Sequence, residues 1–162
     1  MREGTYFAFK TCEMAQAAHR RGVCFGIENP EPWPGYVSLF LLPEMQELSR
    51  LPNVTCTNFD QCCLGAETAK PTRLLSFGLD LTQWTWRCQH ESKSWRYTDW
   101  KGNACLKWGP HPPLVGRKRE DGRPATAGAA AYPSEMNELL AKAIHDGIAR
   151  AKPDSPVNVL NP

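Results

Sequence analysis

Five consecutive apolar residues, Val23-Cys24-Phe25-Gly26-Ile27, run straight into the polar triplet Glu28-Asn29-Pro30. A run this short, continuous rather than alternating, predicts a strand covered on both faces. Ahead of it, residues 5–21 read as a helix. Phe7, Cys12, Met14, Ala15 and Ala18 give an apolar stripe at spacings of three and four, Arg20 and Arg21 suit the last turn, and Gly22 closes it. A helix, a tight turn and a buried strand with a polar end make half of a βαβ unit, and ligands of such sheets gather at the carboxyl ends of the strands. Glu28 is therefore the first candidate site residue. A carboxylate at the end of a buried strand needs a partner or a cleft. It can accept hydrogen bonds from the exocyclic amine and protonated ring nitrogen of a nucleobase, or it can serve as a helix cap or loop contact.

The following segments keep the α/β pattern. Residues 38–50 read as a second helix, with Leu39, Leu42, Met45 and Leu48 on one side and Pro43 a natural first-turn residue. Residues 54–59 and 73–77 have strand character, separated by a polar loop over 60–72, and are expected to pair antiparallel. Residues 84–124 lack periodicity and are expected to be irregular with short strands. From Ser134, expected as the N-cap, a stripe of Met136, Leu139, Leu140, Ala143, Ile144 and Ile148 predicts an amphipathic helix. The chain thus divides into a sheet-bearing unit (1–83), a Trp- and Cys-rich unit with its closing helix (84–150) and a loose tail (151–162).

Net charge is only +2 and hydrophobic residues make up 41%, which excludes a wholly disordered chain. The longest apolar run, Val37 to Leu42, is far too short to cross a bilayer, and no signal peptide is evident. An intracellular protein, nuclear or cytoplasmic, is expected, with its seven cysteines reduced. Cys12, Cys24 and Cys56 lie in apolar segments, where a thiol behaves as a small hydrophobe. Charge and aromatics concentrate together: between Arg87 and Arg123 there are nine Lys/Arg against four Asp/Glu, and five of the six tryptophans lie in or beside that stretch. Cations interleaved with flat rings suit a phosphate-and-base surface, or the core of a small loop-rich subdomain. Arg117, Lys118 and Arg119 are candidate phosphate contacts, or a solvated turn.

Cys88-x-His90, then Cys105 and His111, is a spacing compatible with a tetrahedral zinc site, and zinc would explain how an aperiodic segment stays folded. The alternative has the cysteines as packing and His111 as a loop residue. The adjacent pair Cys62-Cys63 could supply a ligand in place of His111, although neighbouring cysteines more often point to opposite sides. A nucleophilic role for Cys62 or Cys63 would need a base or a positive field that the sequence does not place there.

The order of elements, with Glu28-Asn29 ending one strand and Gly65…Lys70-Pro71-Thr72-Arg73 leading into another, resembles the second half of a cytosine-5 DNA methyltransferase catalytic domain. In that family a strand ends in Glu-Asn-Val, its Glu holds the target cytosine, and a later Gln-x-Arg-x-Arg segment supports the flipped base. Here Pro30 replaces Val, and Lys70-Pro71-Thr72-Arg73 only loosely matches the second motif. Most of residues 1–150 is closer still to uncharacterised methyltransferase-like proteins of mobile elements. The shared features are Ile27-Glu28-Asn29-Pro30, Phe59-Asp60-Gln61-Cys62, Lys70-Pro71-Thr72, His111-Pro112-Pro113-Leu114 and Ala131-Tyr132-Pro133-Ser134.

The resemblance implies part of a Rossmann-like methyltransferase sheet and a role on DNA. Glu28 would grip the base, Asn29 would brace the strand end and Arg73 would sit beside the pocket. Gln61 and Lys70 would add substrate contacts. Two features of the family are missing: no Gly-x-Gly turn for S-adenosylmethionine and no Pro-Cys nucleophile occur in the chain. The expectation is an incomplete domain that neither binds S-adenosylmethionine nor transfers methyl groups alone, its other half supplied in cis or trans. The rival expectation is a non-catalytic, zinc-stabilised nucleic-acid-binding module.

Overall fold

The computed structural model describes residues 3–35, 37–99, 101–114, 116–128 and 131–151. Trp100 and the expected tail from 152 onward lie outside them. Helix α1 (Glu3–Arg20) leads into strand β1 (Phe25–Pro30). A 3-10 turn (Leu39–Leu41) and helix α2 (Pro43–Ser49) follow, so the second helix does start at the proline. Strand β2 (Val54–Asp60), a 3-10 turn (Gln61–Leu64) and strand β3 (Pro71–Phe77) complete the first sheet. Strands β4 (Lys93–Thr98) and β5 (Ala104–Gly109) form a separate hairpin; the short α3 (Ala125–Gly128) and long α4 (Ser134–Arg150) close the chain. Among the described residues no helix is long and apolar enough to cross a membrane.

The architecture is mixed α/β, and both sheets are antiparallel. The three-stranded sheet has the order β1-β3-β2, with β3 antiparallel to each neighbour. β1 and β2 therefore run in the same direction, as half a βαβ unit requires, but β3 lies between them. This corrects the expectation for residues 23–27. Within this sheet β1 is an edge strand, and Val23 and Gly26 are exposed. The strand buried from both sides is β3, where Leu74, Leu75 and Ser76 are fully covered.

Side-chain alternation sends successive β3 residues to opposite faces. On one face Leu75 joins Ile27, Phe40, Met45, Leu48, Cys12 and Ala15, the cluster beneath α1 and α2. On the other, Leu74 and Phe59 meet Leu79, Leu81 and Trp84 from the segment after β3, and Met136 and Ala143 from α4. Of the stripe expected on α1, Cys12 and Ala15 are buried, whereas Phe7 and Met14 are exposed and Ala8 joins the buried face.

Helix α4 packs on the sheet, its Met136 and Ala143 sharing one cluster with Phe59 and Leu74 of the sheet and with Trp84 of the Trp-rich segment. Pro133, not Ser134, is its N-cap and makes no side-chain cap. Gly147 is the point of closest approach: a Cβ there would stand 2.7 Å from the Gly78 carbonyl. Of the expected stripe, Met136 and Ala143 are buried and Ile148 is exposed.

Candidate metal centre and the adjoining cavity

Three separate stretches converge at the end of β2. Cys62 sits on the 3-10 turn, Cys88 and His90 on the strap leading into β4, and His111 just beyond β5. Their ligand atoms all lie within 4.8 Å of one another. Cys88 Sγ is 3.3 Å from His90 Nδ1 and 3.2 Å from His111 Nε2. A tetrahedral zinc ion with bonds of about 2.0–2.3 Å has ligand–ligand edges of about 3.3–3.8 Å, close to these separations. Two thiols and two imidazoles suit a borderline metal such as zinc. Among the described residues this is the one such group of His, Cys, Asp and Glu.

The surroundings orient the ligands. His111 Nδ1 lies 2.8 Å from the Glu67 carbonyl oxygen. A carbonyl only accepts, so Nδ1 carries the proton and, in the neutral ring, Nε2 keeps its lone pair for a metal. Asp60 holds the strap twice. Its backbone N–H donates to the Trp86 carbonyl, and its Oδ2 accepts from the Cys88 N–H at 2.8 Å. Arg87 makes a two-pronged contact with Glu31 at 2.6 and 2.9 Å. Burial, reinforced by Cys88 and Cys63, pushes the Cys62 thiol up to about 12. Such a thiol is a poor nucleophile unassisted, whereas a bound cation would deprotonate it.

The ligand set differs from the expected one at a single position. Cys105 lies in β5 opposite Tyr97, its Sγ 3.7 Å from the Asn103 carbonyl oxygen, and Cys62 stands in the cluster beside His111. Asp60 was the residue that spacing missed. Its signal was local: an acid at the end of a predicted strand, two residues before a cysteine.

Next to the metal centre a cavity of about 700 Å³ opens, lined in part by Gln61, Lys70, Arg117, Arg119 and Tyr132. β1 and β2 run in the same direction, so Glu28 and Gln61 come to the same end of the sheet. Glu28 does not line the cavity itself. It lies half-buried behind two residues that do, its Oε2 accepting from the Tyr132 hydroxyl at 2.8 Å and its Oε1 from Gln61 Nε2 at 3.5 Å. Burial first, then the Glu28 bond, pushes the Tyr132 hydroxyl up to about 12.

Thr72 settles the orientation of Gln61. The Thr72 hydroxyl donates to the Lys70 carbonyl, so its oxygen must accept, and Gln61 Nε2 donates to it at 2.9 Å. Gln61 Oε1 is then buried without a partner, as is Arg117 Nε. An unpaired acceptor and an unpaired donor thus belong to residues lining one hollow, and each is costly unless a ligand completes it.

Asn29 and Arg73 lie elsewhere. They are directly opposite each other, on the sheet face away from Glu28, because residues 28 and 29 must point to opposite sides. Asn29 Oδ1 accepts from the Leu39 N–H at 2.9 Å, tying β1 to the following 3-10 turn. Arg73 donates to Asn58 Oδ1 at 2.8 Å and lies over the Phe40 ring, so it is not beside the cavity. Arg117 pairs with Glu67 at 3.2 Å, Arg119 approaches Asp121 at 4.0 Å, and Lys118 is exposed. In comparisons with protein-family models, curated proteins and solved structures, nothing matches this chain.

Proposed function

We propose that the chain is the base-holding part of a cytosine-5 DNA methyltransferase-like domain, braced by a zinc ion and without methyl transfer of its own. The observation that carries this reading is the half-buried Glu28 carboxylate bonded to Gln61 and Tyr132, two residues that line the cavity, the first of which keeps a buried acceptor without a partner. A cytosine entering from the cavity side would present an exocyclic amine as donor. The amine would replace the Tyr132 hydroxyl on Glu28, and Gln61 Oε1 is available as a further acceptor. Arg119 and the Arg117 guanidinium stand where a phosphate would follow. DNA is the partner this chemistry fits.

Zinc fits Cys62, Cys88, His90 and His111, and when bound it would supply folding energy by joining three chain segments. The chain carries no Gly-x-Gly turn for S-adenosylmethionine and no Pro-Cys pair, so on this reading the donor and the nucleophile come from another segment, in cis or trans.

The test compares two duplexes in fluorescence anisotropy, one fully paired and one with a cytosine opposite an abasic site. An unpaired base costs less to extrude, so the second should bind about tenfold tighter. Glu28→Gln should remove that preference while leaving binding to the paired duplex unchanged. A Glu28→Gln protein that keeps the preference sinks the reading. The metal cluster separately favours the second reading, a non-catalytic zinc-stabilised nucleic-acid module. In that case oligonucleotide binding is independent of Glu28 and disappears on chelation.

A further inference from the structure

The four metal ligands bracket the β4–β5 hairpin. Cys88 and His90 precede its first strand and His111 follows its second, so a bound ion would clamp both legs to Cys62 at the end of β2. Trp95 Nε1 closes the same end of the hairpin by donating to the Gly109 carbonyl at 3.0 Å. A lone two-stranded ribbon is marginal in water, and this one does not cover itself. Its register puts Trp108 across from Ser94 and Leu106 across from Arg96 on a single face. Trp108 is 70% exposed and Leu106 59%. Across residues 93–109 there are four Lys/Arg against one Asp. On the opposite face the Lys93 ammonium stands 4.2 Å from the Trp95 ring centre.

Beside the hairpin runs a groove of about 800 Å³ lined by Arg96, Arg117, Lys118 and Arg119, four cations against the three carboxylates Glu67, Glu120 and Asp121. Glu67, Arg117 and Arg119 also line the cavity next to Gln61. The two hollows share a wall, so a chain with one unit in the cavity can continue along the hairpin. A polyanion built from flat units matches both the charge and the exposed ring. Resting on the nucleic-acid reading above, we infer that the hairpin binds the unpaired nucleotides flanking the base held in the cavity. Trp108 stacks on one base and Arg96 meets a phosphate. The ligand class is single-stranded nucleic acid.

The experiment is anisotropy of a fluorescein-labelled single-stranded oligodeoxynucleotide with the zinc-loaded full chain. Trp108→Ala should weaken binding about tenfold, and Trp108→Phe should retain most of it, since any aromatic face stacks. Arg96→Ala should lower the slope of log affinity against log salt by about 0.7, the single-strand value for one phosphate contact. Both side chains are exposed, so the variants should keep the wild-type circular dichroism. A Trp108→Ala protein within about twofold of wild type overturns the inference. Equal affinity for phosphatidylserine vesicles overturns it too, because the exposed ring would then be a membrane contact. If Trp108→Ala binds normally while the Glu28-dependent preference for unpaired cytosine persists, the hairpin assignment fails and the cavity assignment stands. If the wild-type chain binds no oligonucleotide, both fail.

Discussion

The three-stranded sheet and the β4–β5 hairpin are held by different physics. In the sheet β3 is buried on both faces, between α1 and α2 on one side and α4 on the other. Its stability is that of apolar area removed from water, spread over many side chains. The hairpin buries little: each of its strands has only half-buried and exposed residues. Its ties to the body are the Cys62, Cys88, His90 and His111 cluster, which could hold a metal, the Asp60–Cys88 hydrogen bond and single bridges such as Asp99 with Arg117. A distributed core tolerates losing one contact, whereas a point clamp does not. A segment with few apolar residues to bury can still be fixed in place, provided a few strong ligands do the holding.

Chelation should break the comparison most sharply. Structural zinc contributes on the order of 10 kcal/mol in small domains, so its removal should release the hairpin while the sheet persists. Hydrogen exchange should show residues 93–109 losing protection, with 71–77 still protected. Equal loss in both regions would mean that the clamp and the core form one cooperative unit.

Truncating the core is the complementary change. Leu75→Ala at a fully buried position of β3 should cost about 2–5 kcal/mol of global stability in urea unfolding. Zinc affinity should hardly change if the two regions are independent. A parallel fall in zinc affinity would show that the sheet positions Cys62.

The smallest expected effect lies at Tyr132, on the sheet side of the comparison. Its hydroxyl titrates higher when folded, about 12, than the ordinary 10.0. The native state therefore binds this proton more tightly, and the associated stability is present below pH 10 and lost as pH rises from 10 to 12. Tyr132→Phe should flatten that part of the stability curve relative to wild type. An unchanged slope would show that the Tyr132–Glu28 bond is not made in solution.

Much of the local structure was legible from the chain. Helices α1, α2 and α4, a strand over 54–59 and the antiparallel pairing of β2 with β3 follow from periodicity and turn residues, which act between neighbours. The end of β1 was not legible: the apolar run stops at Ile27, but the strand pairs with β3 as far as Pro30 and Glu28 lies within it. Other features depend on registers that short-range patterns do not encode. Arg73 left the cavity side because its partner across β1 is Asn29 and not Glu28. Cys62 stands in the metal group because the end of β2 meets the strap, and no spacing between cysteines records that.

The sequence by itself indicated α1, α2, α4 and the three strands of the first sheet, that charge and tryptophan gather in one stretch, and that Cys88, His90 and His111 are spaced as metal ligands. Only the tertiary structure decided that β3 lies between β1 and β2, which fourth ligand completes the group, and that Tyr132 covers Glu28. Those choices are contacts between residues 11 to 104 positions apart. They are set by which apolar faces cover one another, a property of the packed whole that no local window of sequence contains.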